Sequence, residues 1–152
     1  MVVLRAKIIE STAEIFSTMV MMEVAVEDES PPADRPLTDT ISGIIGLAGT
    51  HKGVLAIHLP NPVALAITAS FLGLEVEEIN EDVEDAVGEL ANMLGGSVKA
   101  ILSEKGRDID LSLPTTIAGK DYHFQPAKEV EMIVTSFACA AGTFTVELQL
   151  EK

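Results

Sequence analysis

The chain has 152 residues, of which 47% are hydrophobic and 22% charged, a composition that suits one globular domain with a sizeable core. The formal net charge of −14 argues against partners with dense negative charge, such as nucleic acid and anionic membrane surfaces. The sequence has neither a signal-peptide pattern nor a run of ~18 apolar residues that could cross a bilayer. These features predict a cytoplasmic protein in which residues 1–152 form a single domain.

The first part of the chain predicts a helix and a hairpin. Apolar residues at helical spacing predict an amphipathic helix over residues 4–20. An acidic, proline-rich loop follows over residues 27–36. Residues 39–47 and 53–59 then predict two strands, and the glycines around the intervening turn are typical of a hairpin.

Two helices and further strands are predicted in the rest of the chain. One helix spans 61–72, begins with Asn-Pro and ends at Gly73, and a longer helix capped by Asn80 spans 81–103. Three more strands are predicted at 110–113, 130–139 and 143–150. Together the elements predict an α/β fold of the α+β type, with one mostly antiparallel sheet and helices packed on it.

The helix predicted at 81–103 has two chemically different sides. At ~100° per residue, one side collects the apolar residues Val83, Val87, Leu90, Leu94, Val98 and Ile101. The opposite side carries Asp85, Glu89, Asn92 and Gly96, with Gly88 and Gly95 on or beside the same stripe. Glycine disfavours a helix interior by about 1 kcal/mol, and asparagine by several tenths. This side therefore indicates a flat surface, with one carboxylate and one carboxamide, that another protein's backbone can approach.

The order of polar residues on this helix resembles a family signature. The CheC/CheX family of chemotaxis phosphatases has an acidic residue, a glutamate four positions later and an asparagine three positions after the glutamate. A proline follows some twenty residues downstream. Asp85, Glu89 and Asn92 match, and Pro114 is the candidate proline. The resemblance extends over nearly the whole chain, because the first helix and the hairpin are also similar to those of the family. Segment 113–119 resembles the loop before the family's last strands. The Glu-x-x-Asn motif occurs once, as in the CheX type, whose members form homodimers.

The resemblance implies a hydrolase of two-component signalling that dephosphorylates the aspartyl phosphate of a CheY-like chemotaxis response regulator. Asn92 would position the attacking water, and Glu89 would form an ion pair with the active-site lysine of the receiver domain. No cofactor of the chain's own is implied, because the receiver supplies Mg²⁺. The remaining residues of the expected partner-binding surface are Asp85, Gly88, Gly95 and Gly96.

The resemblance also implies an alternative, because the CheC/CheX fold is related to flagellar switch components, which act chiefly as binding modules. A non-catalytic module that docks a receiver or a flagellar switch protein would need the same exposed helix. A metal site is not predicted, because the three histidines lack ligand spacing and Cys139 is the only cysteine. Segments 133–137 and 144–148 have apolar residues on both faces, and an unpaired apolar edge there would favour a homodimer.

Overall fold

The computed structural model describes residues 2–29, 31–32, 35–103, 106–126 and 129–152. Within these residues the α-helices are α1 (Val2–Ile15), α2 (Asn61–Leu72) and α3 (Glu81–Leu102). The strands are β1 (Ala25–Val26), β2 (Pro36–Gly49), β3 (Gly53–Pro60), β4 (Ile109–Leu111), β5 (Thr115–His123), β6 (Val130–Cys139) and β7 (Gly142–Glu151). No helix in the described ranges is long and apolar enough to cross a membrane.

The strands form one sheet in the order β1-β6-β7-β3-β2-β4, and β5 also pairs with β2. All of the described strand pairs are antiparallel. β2 has 14 residues, and this length allows it to pair with β5 along its first part and with β4 near its end. The predicted fold, one antiparallel sheet with helices packed on it, is therefore confirmed.

One face of the sheet is apolar and packs against the helices. Alternate side chains of β3 and β7 point to this face, as the two-residue period of a strand requires. Phe144 stacks on Phe16 and on Phe137, with ring centroids 4.8 and 5.3 Å apart respectively. Phe16 enters the stack from a five-residue π-helical turn, Phe16–Val20. The helix predicted at 4–20 therefore changes geometry after Ile15.

α3 lies directly on β2, and small residues allow this close approach. A Cβ atom added to Gly43 of β2 would lie 3.0 Å from the carbonyl oxygen of Val87 and 3.0 Å from the Cβ of Ala91. Only glycine leaves room for the helix backbone at this distance. The contact fixes which side of α3 faces the sheet and which side faces away.

The structure corrects one sequence prediction about strands and shows which strand edges are paired. The sequence predicts a loop at 113–119, but Thr115–His123 forms β5. Most of its side chains are exposed and lack apolar alternation, so only its backbone pairing with β2 defines the strand. Of the two C-terminal strands, β7 lies between β3 and β6 and is buried along most of its length, whereas β6 has β1 on its outer edge only at Phe137 and Ala138. Among the described strands, β5 has a partner on one edge only.

Candidate functional site

A side-chain cap fixes the beginning of α3. The Asn80 Oδ1 accepts a hydrogen bond from the Val83 backbone N–H at 3.2 Å, which satisfies one of the free donors of the first turn. Glu81, Asp82 and Glu84 lie in the same turn, where the helix dipole favours carboxylates. The predicted start of this helix is therefore confirmed.

The outward side of α3 carries Asp85, Glu89, Asn92 and Gly96, all exposed, and we call these residues the α3 row. They lie three or four residues apart and therefore share one face of the helix. Within the described part of the chain, neither the Glu89 carboxylate nor the Asn92 amide has a hydrogen-bond or ion-pair partner. The carboxylate is free to pair with a cation, and the amide is free both to donate and to accept hydrogen bonds.

The three glycines of α3 differ in their surroundings. Gly96 is exposed, and among the described residues outside its own stretch of helix an added Cβ would meet no atom within 4 Å. Gly88 is buried, contrary to its predicted place on the exposed side, and a Cβ there would lie 3.8 Å from the Cγ of Pro114, an ordinary contact. At Gly95 it would lie 3.0 Å from the Cγ2 of Ile45, on the side that packs against β2. The prediction that Gly95 belongs to the partner-binding surface is therefore wrong: it follows Ala91 by one helical turn and shares that buried side.

A depression of about 410 Å³ runs beside the α3 row, toward the start of β5. It is lined by Glu84, Asp85, Gly88, Glu89, Pro114 and Thr116. Pro114, the proline singled out in the sequence, thus borders the same depression as Glu89. Thr116 was not identified from the sequence, because its side chain is placed here by the unrecognised strand β5.

The surroundings of the α3 row are strongly acidic. Residues 75–89 contain eight aspartates or glutamates and no lysine or arginine. Such a concentration of like charge attracts a cationic partner over about 8–10 Å at physiological ionic strength. The described residues contain no cluster of three or more histidine, cysteine, aspartate or glutamate side chains arranged to hold a metal ion.

A second group of polar residues, missed by the sequence analysis, lies on the sheet face opposite the helices. The Ser42 Oγ lies 2.6 Å from the His58 Nδ1 and 2.8 Å from the Tyr122 hydroxyl. The His58 Nε2 lies 3.6 Å from the Glu147 Oε1, and the Gln149 amide donates to the Glu147 Oε2 at 2.9 Å. We call these five residues the buried polar row. Polar residues occur at matching positions of β2, β3 and β7, and this pattern in the sequence could have revealed the buried polar row.

Most of this group is buried. Ser42, His58, Glu147 and Gln149 are each at most 3% exposed. Burial raises the pKa of Tyr122 above its ordinary value of 10.0, and the hydrogen bond with Ser42 acts in the opposite direction. The buried polar row therefore joins β5, β2, β3 and β7 and serves the fold, whereas the α3 row is open to a partner.

A family model matches the part of the chain that contains the α3 row. Residues 41–138 match a family model described as chemotaxis phosphatase CheX. The CheY-P phosphatase CheX of Thermotoga maritima is 30% identical over 79 residues, which are 51% of each chain. The chain thus matches about half the length of that curated relative.

Solved structures resemble the chain over nearly its whole length. A CheC-like superfamily protein from Shewanella sp. PV-4 is 30% identical, with a TM-score of 0.86 over 98% of this chain and 97% of its own. A chain of the CheX–CheY–BeF3–Mg2+ complex from Borrelia burgdorferi has a TM-score of 0.72 over 97% of both chains. Its sequence identity is 18%, so this second likeness is one of fold alone.

Proposed function

The chain belongs to the chemotaxis phosphatase CheX family, and on that premise we propose that it hydrolyses the aspartyl phosphate of a phosphorylated CheY-like response regulator. The observation that carries this proposal is the pair of exposed groups on α3, the Glu89 carboxylate and the Asn92 amide, which have no partner among the described residues. The opposite side of α3 packs tightly against β2, so the pair is presented on a rigid support. The proposed reaction belongs to two-component chemotaxis signalling in the cytoplasm.

The proposed role of Asn92 is to position the attacking water. In the hydrolysis of an aspartyl phosphate, the water oxygen forms a bond to phosphorus while the bond from phosphorus to the aspartate oxygen breaks. The aspartate leaves as a carboxylate with the bonding electrons, and the product is inorganic phosphate. An amide oxygen that accepts a hydrogen bond from the water holds it in line with the leaving oxygen. The receiver's Mg²⁺ supplies charge neutralisation at the phosphoryl group.

The proposed role of Glu89 is to anchor the receiver. Its carboxylate lies one turn before Asn92, in a region without lysine or arginine, and is therefore available to the receiver's active-site lysine. An ion pair gains strength when docking excludes water from around it. Asp85 and Gly96 are the remaining exposed contact residues in this proposal, and the absence of a side chain at Gly96 allows the receiver backbone to come close.

We also propose that the protein is a homodimer that pairs through the edge of β5. β5 has nine residues, pairs with β2 on one edge and has no described strand on the other. A free edge of this length exposes unpaired backbone groups, which a second copy would satisfy. Light scattering should give about twice the 16.1 kDa mass of one chain, and a mass near one chain at micromolar concentration would contradict the dimer.

Phosphate release from a phosphorylated receiver tests the activity. In the presence of Mg²⁺ the wild-type protein should accelerate release above the receiver's spontaneous rate, and Glu89→Ala should weaken both binding and turnover. Glu81→Ala is the matched control, because it removes the same charge from an exposed position two turns earlier on the same helix. If the receiver binds but releases phosphate only at its spontaneous rate, the chain is a non-catalytic docking module.

A further inference from the structure

Glu89 stands between two depressions, and the second has a different lining from the one beside Pro114. It is a groove of about 280 Å³ between the end of α2 and the beginning of α3. We call it the α2–α3 groove, and it is lined by Phe71, Leu72, Asp82, Asp85, Ala86 and Glu89. Leu72 is the last residue of α2 and is 45% exposed, although the Phe71 side chain beside it packs partly on the core.

The groove combines an apolar surface with one sign of charge. Single exposed leucines are ordinary on protein surfaces. Here, however, Leu72 lines one groove together with Phe71 and with the carboxylates of Asp82, Asp85 and Glu89. Among the residues that the structure describes, no lysine or arginine lines the groove to neutralise these carboxylates. This lining complements an apolar side chain that is carried next to a lysine or arginine.

We propose that the α2–α3 groove binds an apolar side chain of the phosphorylated receiver, flanked by a lysine or arginine, as a second anchor beside Glu89 and Asn92. The proposal rests on the proposed function, because the receiver is the protein that must reach Asn92. Asp85 and Glu89 line both depressions, so a receiver lysine paired with Glu89 brings the neighbouring receiver surface over the groove. The groove is therefore continuous with the proposed catalytic contact.

The physical role of this anchor is affinity for the receiver. Covering Leu72 removes apolar surface from water, which favours association. The contact does not involve the phosphoryl group or the attacking water. Its contribution to binding is therefore the same in the initial complex and in the transition state. Interactions of that kind lower KM and leave kcat unchanged. The groove thus selects receivers by a surface next to their active site.

Replacing Leu72 by serine tests the anchor. Because Leu72 is exposed, Leu72→Ser should fold normally, raise KM for the phosphorylated receiver about tenfold and leave kcat at saturation unchanged. Leu74→Ser is the matched control: Leu74 is 55% exposed but does not line the groove, so its KM should stay at the wild-type value. Asp82→Asn should raise KM by a smaller factor, and salt should reduce that difference.

The outcomes separate this proposal from the function on which it rests. An unchanged KM in Leu72→Ser overturns the anchor, while loss of turnover in Asn92→Ala in the same assay leaves the phosphatase activity standing. If the wild-type protein does not accelerate phosphate release, the anchor is tested by titration with beryllofluoride-loaded receiver. Weaker binding by Leu72→Ser than by the wild-type protein supports the anchor, and equal binding overturns it. Loss of dimer mass in Leu72→Ser with unchanged receiver affinity would assign the groove to a second copy and would also overturn the proposal.

Discussion

The α3 row and the buried polar row contain similar chemical groups, and they differ in whether those groups are open to solvent or buried beside one another. In the buried polar row a hydroxyl, an imidazole and a carboxylate lie next to one another in space, on Ser42, His58 and Glu147. Each of these three residues is at most 3% exposed. Glu89 and Asn92 are exposed and have no partner among the described residues. Proximity of reactive residue types is therefore a weaker guide to function here than the availability of an unpaired group at a rigid surface. Substitutions in the two rows should affect different properties.

The largest effect is expected from Asn92→Ala. Loss of one group that orients a reacting atom typically lowers the rate ~10²-fold or more, so stimulated dephosphorylation should fall by at least that factor. The melting temperature should not fall, because Asn92 is exposed and alanine is the better helix former. Rate and melting temperature are measured on the same preparation. A variant that loses activity and stability together would place Asn92 among the structural residues and contradict the comparison.

Ser42→Ala should have the opposite profile. It removes the partner of both the His58 Nδ1 and the Tyr122 hydroxyl, and leaving a buried polar group unsatisfied costs about 1–3 kcal/mol. Chemical denaturation should show a lower free energy of unfolding, with the dephosphorylation rate per folded molecule unchanged. Tyr122→Phe is the matched variant, since it removes a single hydrogen bond to the same hydroxyl and should be less destabilising. A large loss of rate in stably folded Ser42→Ala would give the buried polar row a catalytic role.

Gly96→Gln should separate stability from docking within the α3 row. Gly96 is exposed in the helix interior with no atom near its missing Cβ, so replacement by a better helix former should raise the free energy of unfolding by up to about 1 kcal/mol. If Gly96 keeps the contact surface flat, the same variant should bind the receiver more weakly. Thermal unfolding and receiver titration measure the two effects. Unchanged receiver affinity would remove Gly96 from the partner-binding surface.

The smallest expected effect is a shift in the titration of Tyr122. It is the only tyrosine and the chain has no tryptophan, so tyrosinate absorbance reports on this side chain alone. Burial raises its pKa above 10.0 in the folded protein, so the midpoint should lie above that value and move down toward it in denaturant. The contribution of neutral Tyr122 to the free energy of unfolding is complete below pH 10.0 and is lost as the pH rises through the folded-state pKa of Tyr122. Tyr122→Phe should remove this part of the alkaline loss of stability.

The sequence predicted the elements whose signals are local and missed those that depend on tertiary pairing. α2 and α3 were placed closely because Asn-Pro, Gly73 and the Asn80 cap mark their ends. β5 was missed because an exposed edge strand needs no apolar alternation, and its backbone bonds to a distant strand leave no local trace. The exposed positions of Glu89 and Asn92 followed from helical periodicity. The inward position of Gly95 did not, because the contact with Ile45 depends on where β2 lies.

A single-turnover measurement at saturating concentrations tests the central claim, the role of Asn92, most directly. Labelled phosphorylated receiver is mixed with increasing excess of wild-type or Asn92→Ala protein, and the decay of the aspartyl phosphate is followed. A water-positioning role predicts that both proteins saturate at similar concentrations and that the limiting rate of Asn92→Ala stays ~10²-fold or more below wild type. A limiting rate for Asn92→Ala that reaches the wild-type value would contradict this role, because the amide would then contribute to binding alone.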